Sequence, residues 1–270
     1  MSWRDIAYKD VNDASRSRTL WLLFGLTAVL FVGYAGAHGQ VGDETFTAFL
    51  RGLVAIVSWL LPLLGIFLGY RSVADDRSDG SLLLTLSMPH SRQDLLAGTF
   101  AGRSTVLLVP ALVTLVVAGI VGAVLYGTDG AVGYLWLLVV TTLYGLVFVA
   151  VGVGLSAATT TERWITYGAA GGYLLLVLLW SSLVSLGIAI LHRFDGSVSS
   201  PDWVQLVQLI QPSEAYNRLL RAGLDVDVAA RYVGSDAPVY VDWWAALLVL
   251  VLWTVVPLAV GHRRFTRSDL

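Results

Sequence analysis

Residues able to do chemistry are few and widely spaced in this chain of 270 residues. Four histidines, His38, His90, His192 and His262, are the only imidazole ligands, and no H-E-x-x-H pair joins any two of them. The chain has no cysteine, which excludes disulfides, thiolate metal sites and cysteine nucleophiles. Ser156, in a Gly-Leu-Ser run, has no histidine or lysine in the surrounding apolar sequence to activate it. The sequence therefore predicts no catalytic residue, no metal site and no cofactor.

Polyanion-binding features are also absent. The G-x-x-x-x-G-K-[ST] loop that cradles nucleotide phosphates does not occur, and the only lysine, Lys9, lies outside any run of this kind. The formal net charge is −2, which gives no reason to expect a nucleic-acid partner. The chain cannot bind and hydrolyse ATP through such a loop by itself.

Composition indicates the environment in which the chain folds. Hydrophobic residues make up 56% of the chain. Charged residues make up 13%, about half of the ~25% usual in soluble domains. A soluble globule of this size could not cover so much apolar surface, so the sequence predicts an integral membrane protein.

Six stretches without ionisable side chains reach the roughly 20 residues that a membrane-spanning helix needs. Because backbone groups in lipid must be satisfied internally, each stretch is expected to be a helix rather than a strand. We predict a single all-α membrane domain over residues 1–270, with spans at about 19–37, 52–70, 104–128, 130–158, 164–191 and 243–261.

Charge in the short loops predicts the orientation. Six spans place both termini on one side, and arginine and lysine concentrate on the cytoplasmic side of membrane proteins. One set of short segments carries Arg4, Lys9, Arg16, Arg18, Arg71, Arg77, Arg92, Arg103, Arg163, Arg263, Arg264 and Arg267. The opposite short loops contain only Arg51, and the loop at 192–242 is too long for the rule to apply. We expect a multi-pass protein of the cell membrane with both termini cytoplasmic.

Residues 1–18 precede the first span and have a helical pattern of their own. Ser2 and Asp5 fit a helix-capping pair, and Trp3, Ile6 and Val11 recur at helical spacing. The pattern predicts a short amphipathic helix along the inner membrane surface. A frayed polar leader is the alternative.

Ionisable residues inside spans usually serve ion-coupled carriers as relays and coupling sites. The six predicted spans can be drawn without one. If this chain is a transporter, its energy must therefore come from another source.

The inner segment 71–103 is the most informative stretch. A charged run leads into a short apolar helix that starts near Gly80 and stops before Pro89, because the residue before proline disfavours the α conformation. Ser91 and Asp94 then fit a cap for the helix that continues into the third span. A short helix with polar flanks at the membrane surface could dock into a groove on a soluble partner.

This segment resembles the corresponding loop of type 2 ABC transporter permeases. In that family an acidic-basic run precedes Gly-[Thr/Ser]-Leu, several leucines, Ser-x-Pro-x-Ser-Arg and a Gly-[Lys]-x-x-Gly sequence. The matching residues here are Asp75, Asp76, Arg77, Gly80, Ser81, Leu82, Ser87, Pro89, Ser91, Arg92, Gly98 and Gly102. The family's frequent lysine is Thr99, and its common glutamate is Asp75 or Asp76.

Two further segments resemble the same family. Residues 1–18 resemble its N-terminal helix, and Pro212–Leu219 resembles the proline-led outer segment before its last span. The second likeness is to permeases akin to those of nitrous oxide reductase maturation systems. The resemblance covers essentially the whole chain.

The resemblance implies a non-enzymatic transmembrane subunit that pairs with a second permease copy, identical or related, and docks two ABC ATP-binding subunits. The loop would be the coupling helix, with Asp75, Asp76, Arg77, Gly80, Ser81, Leu82, Leu83, Leu86, Pro89, Ser91 and Arg92 at the contact. Export is the expected direction, and the substrate is left open. The alternative for the loop is simple anchoring at the membrane surface.

The outer segment 192–242 contains an apolar run that is too short to span a membrane and too apolar to be fully exposed to water. Pro201 and Pro212 bracket or interrupt them, which predicts two short helices on, or dipping slightly into, the outer leaflet. Trp203 and Tyr216 are expected to anchor them at the interface. We expect Trp203, Pro212, Glu214 and Tyr216 to belong to a lid over the exit of the path. A surface cap without a gating role is the alternative.

Two rival functions remain at this point. One is a membrane-embedded enzyme or assembly factor whose active site lies in His192–Asp242. The other is a secondary carrier or a channel. A Walker-type ATPase that binds the chain in a nucleotide-dependent way would distinguish both from an ATP-driven permease.

Overall fold

The computed structural model describes residues 3–40, 45–74, 91–159, 161–191, 202–224 and 239–267. Within these ranges every regular element is a helix, which confirms the all-α class. Six helices there are long and apolar enough to cross a membrane, and this confirms the predicted number. We call them spans 1 to 6, and they are Leu20–Gln40, Phe46–Ala74, Arg92–Tyr126, Ala131–Ala158, Glu162–Leu191 and Trp243–Arg267.

Most of the chain's regular structure is α-helical, with local departures inside two spans. A π-helical stretch interrupts span 1 at Ala28–Val32 and span 5 at Leu174–Leu179, and short 3₁₀ turns occur at His38–Gln40 and Val239–Val241. The α-helices are Trp3–Arg16, Arg18–Thr27, Gly33–Ala37, Phe46–Gly69, Arg92–Tyr126, Ala131–Ala158, Glu162–Tyr173, Trp180–Leu191, Asp202–Leu209, Pro212–Arg221 and Trp243–Arg267.

Spans 2 and 3 begin earlier than the charge-free stretches suggested. Span 2 starts at Phe46 and contains Arg51, and span 3 starts at Arg92 and contains Arg103. A long arginine side chain can extend from a helix end to the polar interface, so a charge near the end of a span does not terminate the helix. The search for charge-free windows therefore cut both helices short.

Span 4 is the centre of the bundle. In its most apolar stretch 67% of the residues are buried, against 6% in span 5. Small residues allow its backbone to approach span 2, because a Cβ added to Gly152 would lie 2.8 Å from the carbonyl oxygen of Ile66. Spans 2, 3, 4 and 6 therefore pack as a tight unit, and span 5 lies against its side.

Spans 3 and 4 are joined by a tight turn. Gly127 and Gly130 flank it with φ angles of 90° and 91°. Side chains disfavour this left-handed region, so glycine is the residue that permits the turn.

The N-terminal helix packs against the first turns of span 3, and the predicted helix is confirmed. Its contact is close, since a Cβ on Gly98 would lie 2.7 Å from Ile6 Cβ and one on Gly102 would lie 2.6 Å from an Asp10 carboxylate oxygen. Asp10 also pairs with Arg103 at 3.1 Å. The Gly-x-x-x-Gly sequence of span 3 thus seats a helix of the same chain.

Two short helices, Asp202–Leu209 and Pro212–Arg221, form what we call the inserted hairpin. The two predicted short helices are confirmed as helices. The second one runs alongside span 4, with the Leu219 carbonyl accepting a hydrogen bond from Trp136 Nε1 and Ser213 bonded to Tyr144. Tyr144 lies about 20 Å along span 4 from its first residue, at 1.5 Å per residue, so the elbow of the hairpin lies beside the middle of the bundle.

Candidate functional site

The inserted hairpin is held by a pair of buried tyrosines. Tyr216 stacks on Tyr144 of span 4, with ring centroids 4.2 Å apart and planes 18° from parallel. Both rings are fully buried, and the Tyr216 hydroxyl is 2.9 Å from the Thr141 hydroxyl. Stacked aromatic rings add specific geometry to their apolar burial, so this pair fixes the depth and rotation of the second hairpin helix.

The Tyr144 hydroxyl connects three elements. It donates to the carbonyl oxygen of Ser58 in span 2 at 3.0 Å, and it lies 2.8 Å from the Ser213 hydroxyl of the hairpin. A phenol has one proton, so Ser213 must donate to the Tyr144 oxygen when Tyr144 donates to Ser58. The arrangement satisfies each of these buried polar groups and links span 2, span 4 and the hairpin.

Two helix ends meet at the elbow of the hairpin, and the backbone groups there lack partners within their own helices. Trp180 Nε1 donates to the Val207 carbonyl at 3.1 Å, and Trp253 Nε1 donates to the Ile210 carbonyl at 2.8 Å. The second helix begins with Pro212, which has no N–H to satisfy. Spans 5 and 6 therefore complete the backbone hydrogen bonding of the hairpin through two indoles.

Span 5 also accepts a hydrogen bond from the elbow. Gln211 Nε2 donates to the Leu176 carbonyl at 2.7 Å, inside the π-helical stretch Leu174–Leu179. Single π-helical turns are frequent at functional sites because they shift backbone groups out of the regular α-helical pattern. Here the stretch presents a carbonyl to the hairpin.

A polar cleft of about 650 Å³ lies between span 2, span 5 and the hairpin. Its polar side chains come from all three elements. The lining residues are Arg51, Val54, Ala55, Ser58, Trp59, Val177, Leu178, Ser181, Ser182, Gln211, Ser213, Glu214 and Asn217.

Two amide oxygens in the cleft have no hydrogen-bond donor among the described residues: Gln211 Oε1 and Asn217 Oδ1. Gln211 is only 4% exposed, so its unpaired oxygen lies in a largely dry place. An unpaired buried acceptor costs about 1–3 kcal/mol. The groups of the cleft that could hydrogen-bond a solute are the hydroxyls of Ser181, Ser182 and Ser213.

Most of the predicted contact set for an ATP-binding subunit lies outside the described residues. This holds for Asp75, Asp76, Arg77, Gly80, Ser81, Leu82, Leu83, Leu86 and Pro89. Its last two members, Ser91 and Arg92, begin span 3.

Ser91 and Asp94 form the predicted cap, which is confirmed as a reciprocal capping box. The Arg92 guanidinium donates to the Phe265 carbonyl of span 6 and lies 5.2 Å from the centre of the Phe265 ring. The start of span 3, directly after the loop between spans 2 and 3, is therefore attached to the end of span 6.

The four predicted lid residues lie in different environments. Trp203 is 51% exposed, whereas Pro212 and Tyr216 are buried and Glu214 lines the cleft. The expectation that Tyr216 anchors at the membrane interface is wrong, because its ring is fully buried against Tyr144. The lid role itself stays a prediction.

Ser156 has a structural role at the inner end of span 4. Its hydroxyl is fully buried and accepts hydrogen bonds from the backbone N–H groups of Val73 and Ala74, at 3.0 and 3.1 Å. It thereby holds the last turn of span 2. In the described ranges, no group of three or more His, Asp or Glu side chains is placed to hold a metal ion.

Sequence reasoning missed most of the cleft because it searched the spans only for ionisable residues. Hydroxyl and amide side chains carried the signal instead. Ser181 and Ser182 interrupt an apolar span. Gln205 and Gln208 lie three residues apart on the first hairpin helix, and Gln211 follows at the elbow after the same spacing. Such a polar stripe on a short apolar helix indicates that one face meets other polar groups.

Comparison with known proteins gives a consistent result over almost the whole chain. Residues 4–270 match the family described as ABC-2 family transporter protein. A protein of Pseudomonas aeruginosa named "Probable ABC transporter permease protein NosY" is 31% identical over 280 aligned residues, covering 98% of each chain. A protein of the same name from Stutzerimonas stutzeri is 29% identical, covering 97% of each chain.

Replacing Tyr144 by Phe tests the connection between the hairpin and the bundle. The change keeps the stacked ring but leaves the Ser58 carbonyl and the Ser213 hydroxyl without their shared partner. We expect a loss of about 1–3 kcal/mol, read as a lower midpoint of thermal unfolding in detergent. Tyr167→Phe is the matched control, because Tyr167 is 66% exposed. Equal midpoints for the two variants would contradict the connecting role.

Proposed function

This chain belongs to the ABC-2 family of transporter proteins, and we propose that the polar cleft beside the inserted hairpin is part of its transport path. The chain is the transmembrane subunit of an ABC transporter, and ATP hydrolysis takes place on a separate ATP-binding subunit with which it associates. The observation that carries the proposal is a cleft of about 650 Å³ between two apolar spans and the hairpin, lined by polar side chains from all three. A polar, hydrogen-bonding solute is the class of substrate that this lining favours.

The proposed path is completed by a second permease copy. Span 5 forms one wall of the cleft, yet only 6% of its most apolar stretch is buried within the chain. Its outward side carries large apolar residues such as Leu179, Leu183 and Leu186, each more than 45% exposed. A partner that covers this side, identical or related, would enclose the cleft, and each copy would bind one ATP-binding subunit.

The proposed orientation places both termini in the cytoplasm of a cell. Short-loop arginines support it, and the loop at 192–242 then lies outside. The hairpin would be re-entrant, entering from the outside and returning to the same side. The indole caps on Val207 and Ile210 support this, because backbone groups at membrane depth must be satisfied within the protein.

The proposed coupling segment is the loop between spans 2 and 3. Both of its ends are attached to other spans: Val73 and Ala74 to Ser156 of span 4, and Arg92 to Phe265 of span 6. A push on the loop by the ATP-binding subunit would therefore move spans 2, 3, 4 and 6 together. Span 5 would be the wall against which the cleft opens and closes.

Nucleotide-dependent labelling tests the proposed path without knowledge of the substrate. The chain has no cysteine, so single cysteines at Ser182 and Ser213 can be labelled unambiguously in the complex with its ATP-binding subunit. We expect their rates of reaction with a soluble thiol reagent to change several-fold between the nucleotide-free and the vanadate-trapped states, because alternating access changes their exposure.

The control is a cysteine at Ser15 on the N-terminal helix. This position is exposed and lies outside the cleft. Its labelling rate should stay the same in both states. Unchanged rates at Ser182 and Ser213 in a complex that still hydrolyses ATP would overturn the path.

Sided labelling tests the orientation. Cysteines introduced singly at Ser15, Ser78 and Ser268 should react with an impermeant thiol reagent only from the cytoplasmic side. A cysteine at Ser197 should react from outside in intact cells. Labelling of Ser78 from outside, or protection of Ser197 until the membrane is permeabilised, would contradict the proposed topology.

Charge in the coupling segment tests the docking role. Leu82→Asp combined with Leu86→Asp places carboxylates on the predicted apolar face, and burying them in a partner's groove would be strongly unfavourable. We expect loss of the ATP-binding subunit on co-purification, with membrane insertion and the thermal midpoint retained. Ser15→Asp together with Ser268→Asp adds the same two charges outside the loop and is the control. Full co-purification of the double leucine variant would show that the loop does not dock.

A further inference from the structure

A second groove adjoins the hairpin elbow and shares no lining residue with the polar cleft. It occupies about 500 Å³ between spans 4 and 6 and reaches from the elbow to the end of span 6. Its lining differs sharply from that of the cleft, because ten of its eleven residues are apolar, whereas eight of the thirteen residues that line the cleft are polar or charged. The lining residues are Val151, Gly154, Leu155, Ala158, Ile210, Leu252, Trp253, Val256, Pro257, Val260 and Arg264.

Small residues create this groove. Spans 4 and 6 approach so closely at Gly154 that a Cβ there would collide with the backbone of Pro257, and one on Gly261 would lie 2.7 Å from the Gly154 carbonyl oxygen. Where backbones touch, no side chain fills the seam between them. Larger side chains on either side, such as those of Leu155 and Val256, form the sides of the groove.

The groove has the length of one membrane leaflet. Trp253, beside the elbow, and Arg264, at the other end, are separated by about 16 Å along span 6, at 1.5 Å per residue. Half of a hydrocarbon core of about 30 Å is about 15 Å. An extended acyl chain starting at the membrane surface would therefore end at the hairpin elbow.

Charge occurs at one end only. Arg264 is exposed and forms no ion pair with a described carboxylate. In the proposed orientation this end faces the cytoplasmic leaflet, where anionic lipids concentrate and basic pockets between spans bind their headgroups. An apolar trough ending in one cation is complementary to an amphiphile with an anionic head and a long tail.

We propose that this groove binds one anionic phospholipid of the cytoplasmic leaflet, with its phosphate at Arg264 and an acyl chain along Val260, Val256 and Trp253. The tail ends at Ile210, whose carbonyl accepts the Trp253 indole hydrogen bond. The lipid thus supports the elbow from outside the polar cleft. Only the choice of leaflet rests on the proposed orientation, and the binding itself does not depend on the proposed path.

Quenching of Trp253 by brominated lipid tests the site. The full chain with its ATP-binding subunit is reconstituted in phosphatidylcholine nanodiscs that contain either brominated phosphatidylglycerol or brominated phosphatidylcholine at equal mole fraction. The chain has 10 tryptophans, so the Trp253 contribution is taken as the difference from Trp253→Phe. We expect phosphatidylglycerol to quench Trp253 at lower mole fraction than phosphatidylcholine does.

Paired variants separate the groove from general lipid contact. Arg264→Gln should weaken the apparent affinity for phosphatidylglycerol about fivefold, as expected for about 1 kcal/mol per basic residue. Arg263→Gln, on a different face of the same helix turn, should leave it unchanged. Val256→Phe fills the groove and should abolish the selective quenching, whereas Val255→Phe, equally exposed but outside the groove, should retain it.

Two results would overturn the proposal. Equal quenching by both lipids, or quenching indifferent to Arg264→Gln, would mean that the groove holds ordinary annular lipid without a headgroup site. Absence of quenching by either lipid would mean that protein, such as a second copy of this chain, covers the groove. Neither readout depends on transport. The lipid proposal can therefore be tested even if the proposed transport path is wrong.

Discussion

Backbone hydrogen bonding at the hairpin elbow is the constraint on which the rest of this structure depends. A helix that ends inside an apolar bundle leaves carbonyls that water cannot reach, and each one left unpaired is costly. Here side chains from neighbouring spans supply the donors: Trp180 caps Val207 and Trp253 caps Ile210. Pro212 removes one orphan donor at the start of the second helix. The indoles of spans 5 and 6 thus help to satisfy the backbone of the hairpin at its elbow.

This constraint divides the bundle into a rigid part and a loosely attached one. The hairpin is joined to span 4 by a buried tyrosine stack and to span 2 through the Tyr144 hydroxyl. Span 5 accepts a hydrogen bond from Gln211 and donates one from Trp180 to Val207, and most of its surface is exposed. Because little of span 5 is buried in the core, motion between span 5 and the rest would change the polar cleft while leaving the core intact.

The sequence predicted what hydropathy and capping determine: the helical class, six spans, two short helices before the last span, and the Ser91–Asp94 cap. It did not predict how deep the hairpin lies. Amphipathicity shows that a helix has an apolar face but not whether lipid or protein covers it, and Tyr216 was assigned to the membrane interface for that reason. The cleft was missed for a related reason. Its serines and amides gain significance only when span 2, span 5 and the elbow are brought together.

The two ends of the molecule are connected through span 4. At one end of span 4, Ser156 accepts hydrogen bonds from the last turn of span 2, and Gly154 nearby lies against span 6. In the middle of span 4, the Tyr144 hydroxyl is hydrogen-bonded to the Ser58 carbonyl and the Ser213 hydroxyl. Because a helix transmits axial and tilting displacement along its length, a force applied near Ser156 must also move Tyr144 and the elbow. In the proposed mechanism the ATP-binding subunit applies that force through the loop between spans 2 and 3. The polar cleft lies between span 5 and the unit formed by spans 2, 3, 4 and 6. A displacement of that unit relative to span 5 would therefore change the width of the proposed transport path at the cleft.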